Sequence, residues 1–166
     1  MLNPIRTIGS QFVEYIRKHQ PMSKKDAWQM GRLMLDRMGL PHSQTLMKSY
    51  SFQLSGGMRQ RAGIAMAMVF EPKILLADEP TSALDVTMQA QIVRQMQHLR
   101  EQYRTSILLV THNLGMAAYI ADRIVVMANG RMVDSGDRRT ILEQSENAYT
   151  RQLLEAVPDM RRKRFV

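Results

Sequence analysis

The chain has 166 residues, 45% of them hydrophobic and 23% charged, which suits one ordinary domain or two small lobes and argues against disorder. It contains no cysteine, so disulfides, thiolate metal sites and cysteine nucleophiles are excluded, and the reducing cytosol is the natural setting. The formal net charge is +8, of which Arg161, Arg162, Lys163 and Arg164 supply four, and no aromatic residues interleave with the basic ones; a solvated tail and dispersed surface charge fit this better than lipid headgroups or RNA, and no nucleic acid is expected.

In chain order, Ile5, Ile8, Phe12, Tyr15, Ile16 and His19 recur at helical spacing over residues 5–19, ahead of Pro21. Ser23 with Asp26 three residues on is a capping box, after which Ala27, Met30, Met34, Leu35 and Met38 repeat before Gly39 ends a second helix. A short helix is expected near 42–47. Residues 58–70 read as an almost wholly apolar helix, buried on most sides and stopped by Pro72.

Residues 73–77 are a short apolar run ending in acids, read as a buried parallel strand with its functional end at the carboxyl edge. A long helix over 86–103 and an apolar strand over 106–110 follow, a right-handed crossover that would bring Asp78, Glu79 and His112 to one sheet edge. Asn129-Gly130 between 124–127 and 132–133 signals a hairpin, and helices near 138–144 and 148–157 complete the chain. The longest apolar run, 64–70, falls far below the ~20 residues of a membrane helix, as does the run at 107–110. The first residues lack a signal-peptide pattern, so the chain is expected to stay inside the cell.

Four clusters carry chemistry. Ser55-Gly56-Gly57 leads into a helix, where glycines leave backbone N–H groups bare for a phosphate and the hydroxyl adds a donor; alone, the pair is as well read as a loop. Asp78-Glu79 ends an apolar strand, where a metal and a water can be held, or where the acids simply cap the next element. Asp85 either caps the helix at Val86 or reaches another chain, and the two are compatible. His112 follows the strand at 106–110, a place where a lone histidine is usually structural.

Together these residues resemble the ABC transporter ATPase family. Leu54-Ser55-Gly56-Gly57-Met58-Arg59-Gln60-Arg61 resembles its signature motif, and Ile74 to Glu79 a Walker B strand with its catalytic glutamate. Ser82-Ala83-Leu84-Asp85 resembles the D-loop, and His112 the H-loop histidine. Leu2-Asn3-Pro4, Thr7-Ile8-Gly9, the Met58 form of the signature, and Ala148-Tyr149-Thr150-Arg151-Gln152-Leu153-Leu154 point to the peptide and nickel importer branch.

The resemblance implies an α/β fold, a P-loop NTPase-type parallel sheet with an α-helical subdomain. The expected domains are a helical subdomain with the signature over 1–70, part of a RecA-like core over 71–137, and a helical extension with basic tail over 138–166. The cofactors implied are ATP and Mg2+. Asp78 would hold Mg2+ through water, Glu79 would polarise the attacking water, and His112 would hydrogen-bond the γ-phosphate. Ser55, Gly56 and Gly57 would contact ATP held by a partner subunit, with Asp85 reaching across the dimer.

The partners implied are a second ABC ATPase in a homodimer or heterodimer, permease subunits and, indirectly, a substrate-binding protein, at the cytoplasmic face of the membrane. The departure from the family is large. None of the nine glycines is followed by lysine, so the Gly-x-x-x-x-Gly-Lys-Ser/Thr run that wraps the β-phosphate is absent, and with it one strand of the sheet. The chain therefore resembles a fragment beginning at the Q-loop, expected to show exposed strand edges and no ATPase activity alone. The other readings are a non-catalytic interaction fragment and a soluble ABC ATPase of DNA repair or translation.

Overall fold

The computed structural model describes residues 2–82 and 84–156. The chain falls into two units that meet in sequence at Leu108 and Leu109, within a strand.

The first unit opens with helices. Thr7 accepts the Ser10 N–H at 3.3 Å and starts α1 (Ile8–His19), so the helix begins three residues later than the apolar spacing suggested and leaves Ile5 81% exposed. Ser23 caps α2 (Lys24–Arg37), accepting from Asp26 N–H at 3.1 Å while its hydroxyl donates to the Asp26 carboxylate at 2.7 Å. At the other end Gly39 takes φ +64, and the bonds Gly39 N–H to Asp36 O and Leu40 N–H to Leu35 O close a Schellman motif. α3 (Ser43–Lys48), a 3-10 turn (Ser51–Gln53) and α4 (Gly56–Met68) follow.

Ile8, Phe12 and Ile16 of α1 are fully buried, as are Ala27 and Leu35 of α2, Met38, Met47, and Ala62, Ala65 and Met68 of α4. At about 1.5–3 kcal/mol for each large side chain removed from water, this core holds the helical part together. α4 is less enclosed than its composition suggested, because Ala67 is exposed and Met66 and Phe70 are half-buried.

β1 (Ile74–Asp78), α5 (Val86–Tyr103) and β2 (Ser106–Val110) form the crossover, and β1 and β2 make a two-stranded parallel sheet. Its start is pinned by the Thr105 hydroxyl, which donates to Pro72 O at 2.7 Å, and by Ser106 N–H, which donates to Lys73 O at 2.8 Å. α5 buries Ile92, Val93, Met96 and Leu99. β1 is not the doubly buried strand its composition predicted: Leu75 is buried, but Ile74 and Leu76 are 62% and 71% exposed, and Leu108 of β2 is 60% exposed. Apolar residues at every position suit a strand covered on both faces, and among the described residues the face carrying Ile74 and Leu76 is open.

In the second unit α6 (Leu114–Ile120) precedes a hairpin of β3 (Arg123–Ala128) and β4 (Arg131–Asp137), followed by α7 (Arg138–Glu143) and α8 (Ala148–Glu155). The sequence pattern left α6 unassigned. β3 and β4 pair antiparallel from Ala128↔Arg131 to Arg123↔Asp137 with an irregularity at Val126/Met127, and Asn129 and Gly130 take φ 49 and 73 at the turn, as the dipeptide predicted. β2 and β3 belong to different sheets. Ile124, Val126 and Ile141 form this unit's core, with Val133, Leu142 and Leu153 against it. Asp134 of β4 accepts hydroxyl hydrogen bonds from Ser145 and from the buried Thr150, while the Asn147 amide donates to Val133 O at 2.9 Å, so β4 holds the start of α8. Residue 157, which the sequence reading included in the last helix, and the basic tail lie outside the described residues.

Candidate functional site

The signature run is built as a helix start. Ser55 has φ −62 and ψ 162, and its Oγ accepts the Met58 N–H at 3.3 Å, so Gly56 and Gly57 fall inside α4 instead of in a loop before it. By helix geometry the N–H groups of those two residues have no carbonyl to bond within α4. Arg59 ties the turn down by donating to Leu54 O at 2.8 Å, and Leu54 itself is buried. Ser55 is exposed, and its hydroxyl hydrogen is not consumed by the capping bond, in which the oxygen is the acceptor.

Gly57 is buried beneath α5. A Cβ at Gly57 would lie 1.9 Å from Met88 Cε, so the absence of a side chain is what lets the two helices approach here. Four residues further along α4, Arg61 donates to the Gln91 side-chain oxygen of α5 at 2.6 Å.

The acidic turn follows β1. Asp78 is the last, exposed residue of the strand. Glu79, half-buried, takes φ 44, a left-handed backbone that a non-glycine residue adopts at a cost of about 1–2 kcal/mol. Ser82 N–H and Oγ both donate to Glu79 O, at 3.3 and 3.2 Å, and Leu84 N–H donates to Thr81 O at 3.1 Å. The Gln89 amide of α5 donates to Thr81 O at 3.2 Å and Leu84 O at 3.1 Å. Asp85 caps α5 by accepting the Met88 N–H at 2.9 Å. Met88 thus touches both predicted segments, its backbone on Asp85 and its side chain over Gly57.

His112 is exposed and belongs to the second unit, between β2 and α6. Beside it Thr111 Oγ1 accepts the Asn113 N–H at 3.0 Å, and Asn113 caps α6 by accepting the Met116 N–H at 3.0 Å. Asp78, Glu79, Asp85 and the Ser55–Gly57 turn all lie in the first unit. Sequence reasoning missed Met88, Gln89 and Gln91. The one signal for them is their position in the opening turns of a helix whose cap, Asp85, was recognised.

The ABC transporter family model matches residues 2–82, and the glutathione import ATP-binding protein GsiA of Shigella flexneri is 46% identical over 159 residues, 96% of this chain. On these matches the chain is similar to ABC transporter proteins. GsiA of Escherichia coli is 45% identical over the same length, and in both cases the chain spans 26% of the relative. Among solved structures it is similar to an ATP-binding cassette captured as a dimer in a post-hydrolysis state with ADP and Pi, at TM-score 0.70 and 28% identity, covering 83% of this chain and 59% of that one. A dimeric bacterial ABC transporter cassette matches with the same values.

Proposed function

We propose that the chain is part of the ATP-binding subunit of an ABC importer, and that its Ser55–Gly57 turn contacts ATP held by a second ABC subunit. The observation that carries this reading is the start of α4, a helix of 13 residues with two glycines in its first turn and a capping serine exposed to solvent. Helix N-termini favour phosphate through bare N–H groups and the helix dipole. The Ser55 hydroxyl has a hydrogen left to donate, and Gly56 places no side chain between the backbone and an approaching oxygen.

The remaining residues divide by the nucleotide they serve. Asp78 and Glu79 put two carboxylates at the end of β1, which suits a hard cation that keeps most of its water and takes one or two protein carboxylates. Mg2+, when bound with ATP, supplies neutralisation of phosphate charge. Asp78 would hold it through water, Glu79 would orient and deprotonate the attacking water, and His112 would donate to the γ-phosphate. Asp85, already the cap of α5, would face the partner subunit.

The dimeric solved cassette with ADP and Pi supports the pairing, and the names of the relatives support import. The substrate class we propose is a small peptide, selected by a permease and a substrate-binding protein. The chain would act at the cytoplasmic face of the membrane, with the helices of residues 1–70 meeting the permease, residues 71–137 contributing to the ATPase core and residues 138–166 extending it. No helix among the described residues is long and apolar enough to cross a membrane.

One observation favours a second reading, a pairing element without turnover of its own: no glycine of the 166 residues is followed by lysine. Mixing separates the two. The chain alone should not hydrolyse ATP. Added to an ABC ATPase subunit with an intact Gly-x-x-x-x-Gly-Lys-Ser run, it should raise turnover, and Ser55→Arg should remove the rise. ATP turnover by the chain alone that Glu79→Gln abolishes would overturn the expectation of an inactive isolated chain. No rise in the mixture would leave the non-catalytic reading.

A further inference from the structure

The loop from Asp78 to α5 has little packing of its own. Ser82, Asp85 and Val86 are exposed, and the backbone at Glu79 is in a costly conformation. A loop built this way relaxes unless its surroundings over-determine it. Among the described residues its inward anchors include Pro80 and Thr81, both buried, and the side chain of Gln89.

Gln89 lies one turn into α5, where its own N–H bonds to Asp85 O, so the helix fixes its position. Its amide nitrogen donates to carbonyls on both sides of the bend, Thr81 O and Leu84 O. Thr81 O also accepts from Leu84 N–H, so this one oxygen is where the loop's internal turn and its tether to α5 meet. The neighbours of Gln89 carry the other attachment: Met88 fills the space over Gly57, and Gln91 accepts from Arg61 of α4. The first two turns of α5 therefore hold the loop with one residue and the signature helix with two others.

We infer that Gln89 is a positioning residue that sets the loop carrying Glu79 and Asp85 in register with the Ser55–Gly57 turn, using α5 as the shared base. The inference rests on the nucleotide reading above for its purpose, though not for its geometry. Gln89 touches no reacting atom. It acts by donating to two carbonyls, so the requirement is for a hydrogen-bond donor of sufficient reach. A carboxylate of the same length cannot serve, because it has no hydrogen to give.

The test uses the full 166-residue chain and residue-resolved hydrogen exchange. The Ser82 and Leu84 amides, bonded to Glu79 O and Thr81 O, should be protected in the wild type. In Gln89→Leu and Gln89→Glu their exchange should quicken by about tenfold, the loss of one to two modest hydrogen bonds, with the amides of 92–99 unchanged. Gln89→Lys, which restores a donor, should recover most of the protection. Exchange at Ser82 and Leu84 within about twofold of wild type in both Leu and Glu variants overturns the proposal, as does acceleration spread evenly along α5, which would mean that the helix and not the loop depends on Gln89. In the mixture with an intact ABC subunit, the Leu and Glu variants should lower the turnover rate and leave the KM for ATP unchanged. If the wild-type chain gives no stimulation while the exchange result holds, the nucleotide reading fails and the positioning role stands.

Discussion

Met88 occupies the space that a side chain at Gly57 would need, with its methyl carbon 1.9 Å from where that Cβ would be. Its neighbour across the opening turn, Asp85, accepts its N–H. A thioether is the side chain best able to adapt, which bounds what changes at Gly57 should do. Gly57→Ala should destabilise the chain by about 1 kcal/mol as Met88 swings aside, and Gly57→Val by about 2–3 kcal/mol, read from urea midpoints. In the double variant Gly57→Ala with Met88→Ala, the cost of the alanine at 57 should largely vanish. Additive losses would show that the two residues do not share the space.

Removing the Asp85 carboxylate costs the cap of α5. Asp85→Ala should lower stability by about 1 kcal/mol, a fall in thermal midpoint of about 2–5 °C, and Asp85→Asn should keep most of it. If Asp85→Ala melts with the wild type, the bond to Met88 N–H contributes nothing to stability.

Asp134 is held below the usual aspartate range by the hydroxyls of Ser145 and Thr150, against a smaller opposing effect of burial. Asp137, held down by the backbone N–H and then the hydroxyl of Thr140, shifts the same way. A carboxyl depressed in the folded state contributes stability above its unfolded pKa, about 3.9, and that contribution is lost as pH falls through the folded value. Wild type should therefore melt above Asp134→Asn at neutral pH, with the gap closing below about pH 4. A gap that is constant from pH 7 to pH 3 would assign the difference to packing instead.

The open face formed by Ile74 and Leu76 of β1 and Leu108 of β2 should make the chain self-associate. Leu76→Thr should shift sedimentation towards monomer and alter stability by no more than about 0.5 kcal/mol, because little of the side chain is buried. Unchanged association with the threonine would clear this face of responsibility.

The helices and the hairpin were legible wherever a local device sets a boundary. Ser23 with Asp26, Gly39 after α2, Asp85 before Val86 and Asn129-Gly130 each act within a few residues of themselves, and each lies where it was expected. α4 started earlier than expected because Gly56-Gly57 reads as loop until Ser55 is seen to cap it. α6 escaped notice because it is seven residues long, with Gly115 in its first turn. The exposed face of β1 was illegible for a different reason: the pattern Ile-Leu-Leu-Ala reports what a strand can tolerate on both sides, and what covers it depends on distant chain. At the site, Ser55, Asp78, Glu79 and Asp85 were visible as motif residues. Gln89 was not, since its partners are backbone carbonyls that only the folded loop presents.

The left-handed backbone at Glu79 acts as a corner in the chain. β1 ends at Asp78, and immediately after Glu79 the turn begins with Glu79 O accepting from Ser82 N–H, so the main chain changes direction between the two acids and the turn. Any residue placed at 79 inherits the same bend at a cost that depends on its side chain, least for glycine, then for asparagine and aspartate, and most for β-branched residues. The bend that presents the carboxylate pair thus belongs to the main chain, and exchanging one acid for its amide should leave that bend in place.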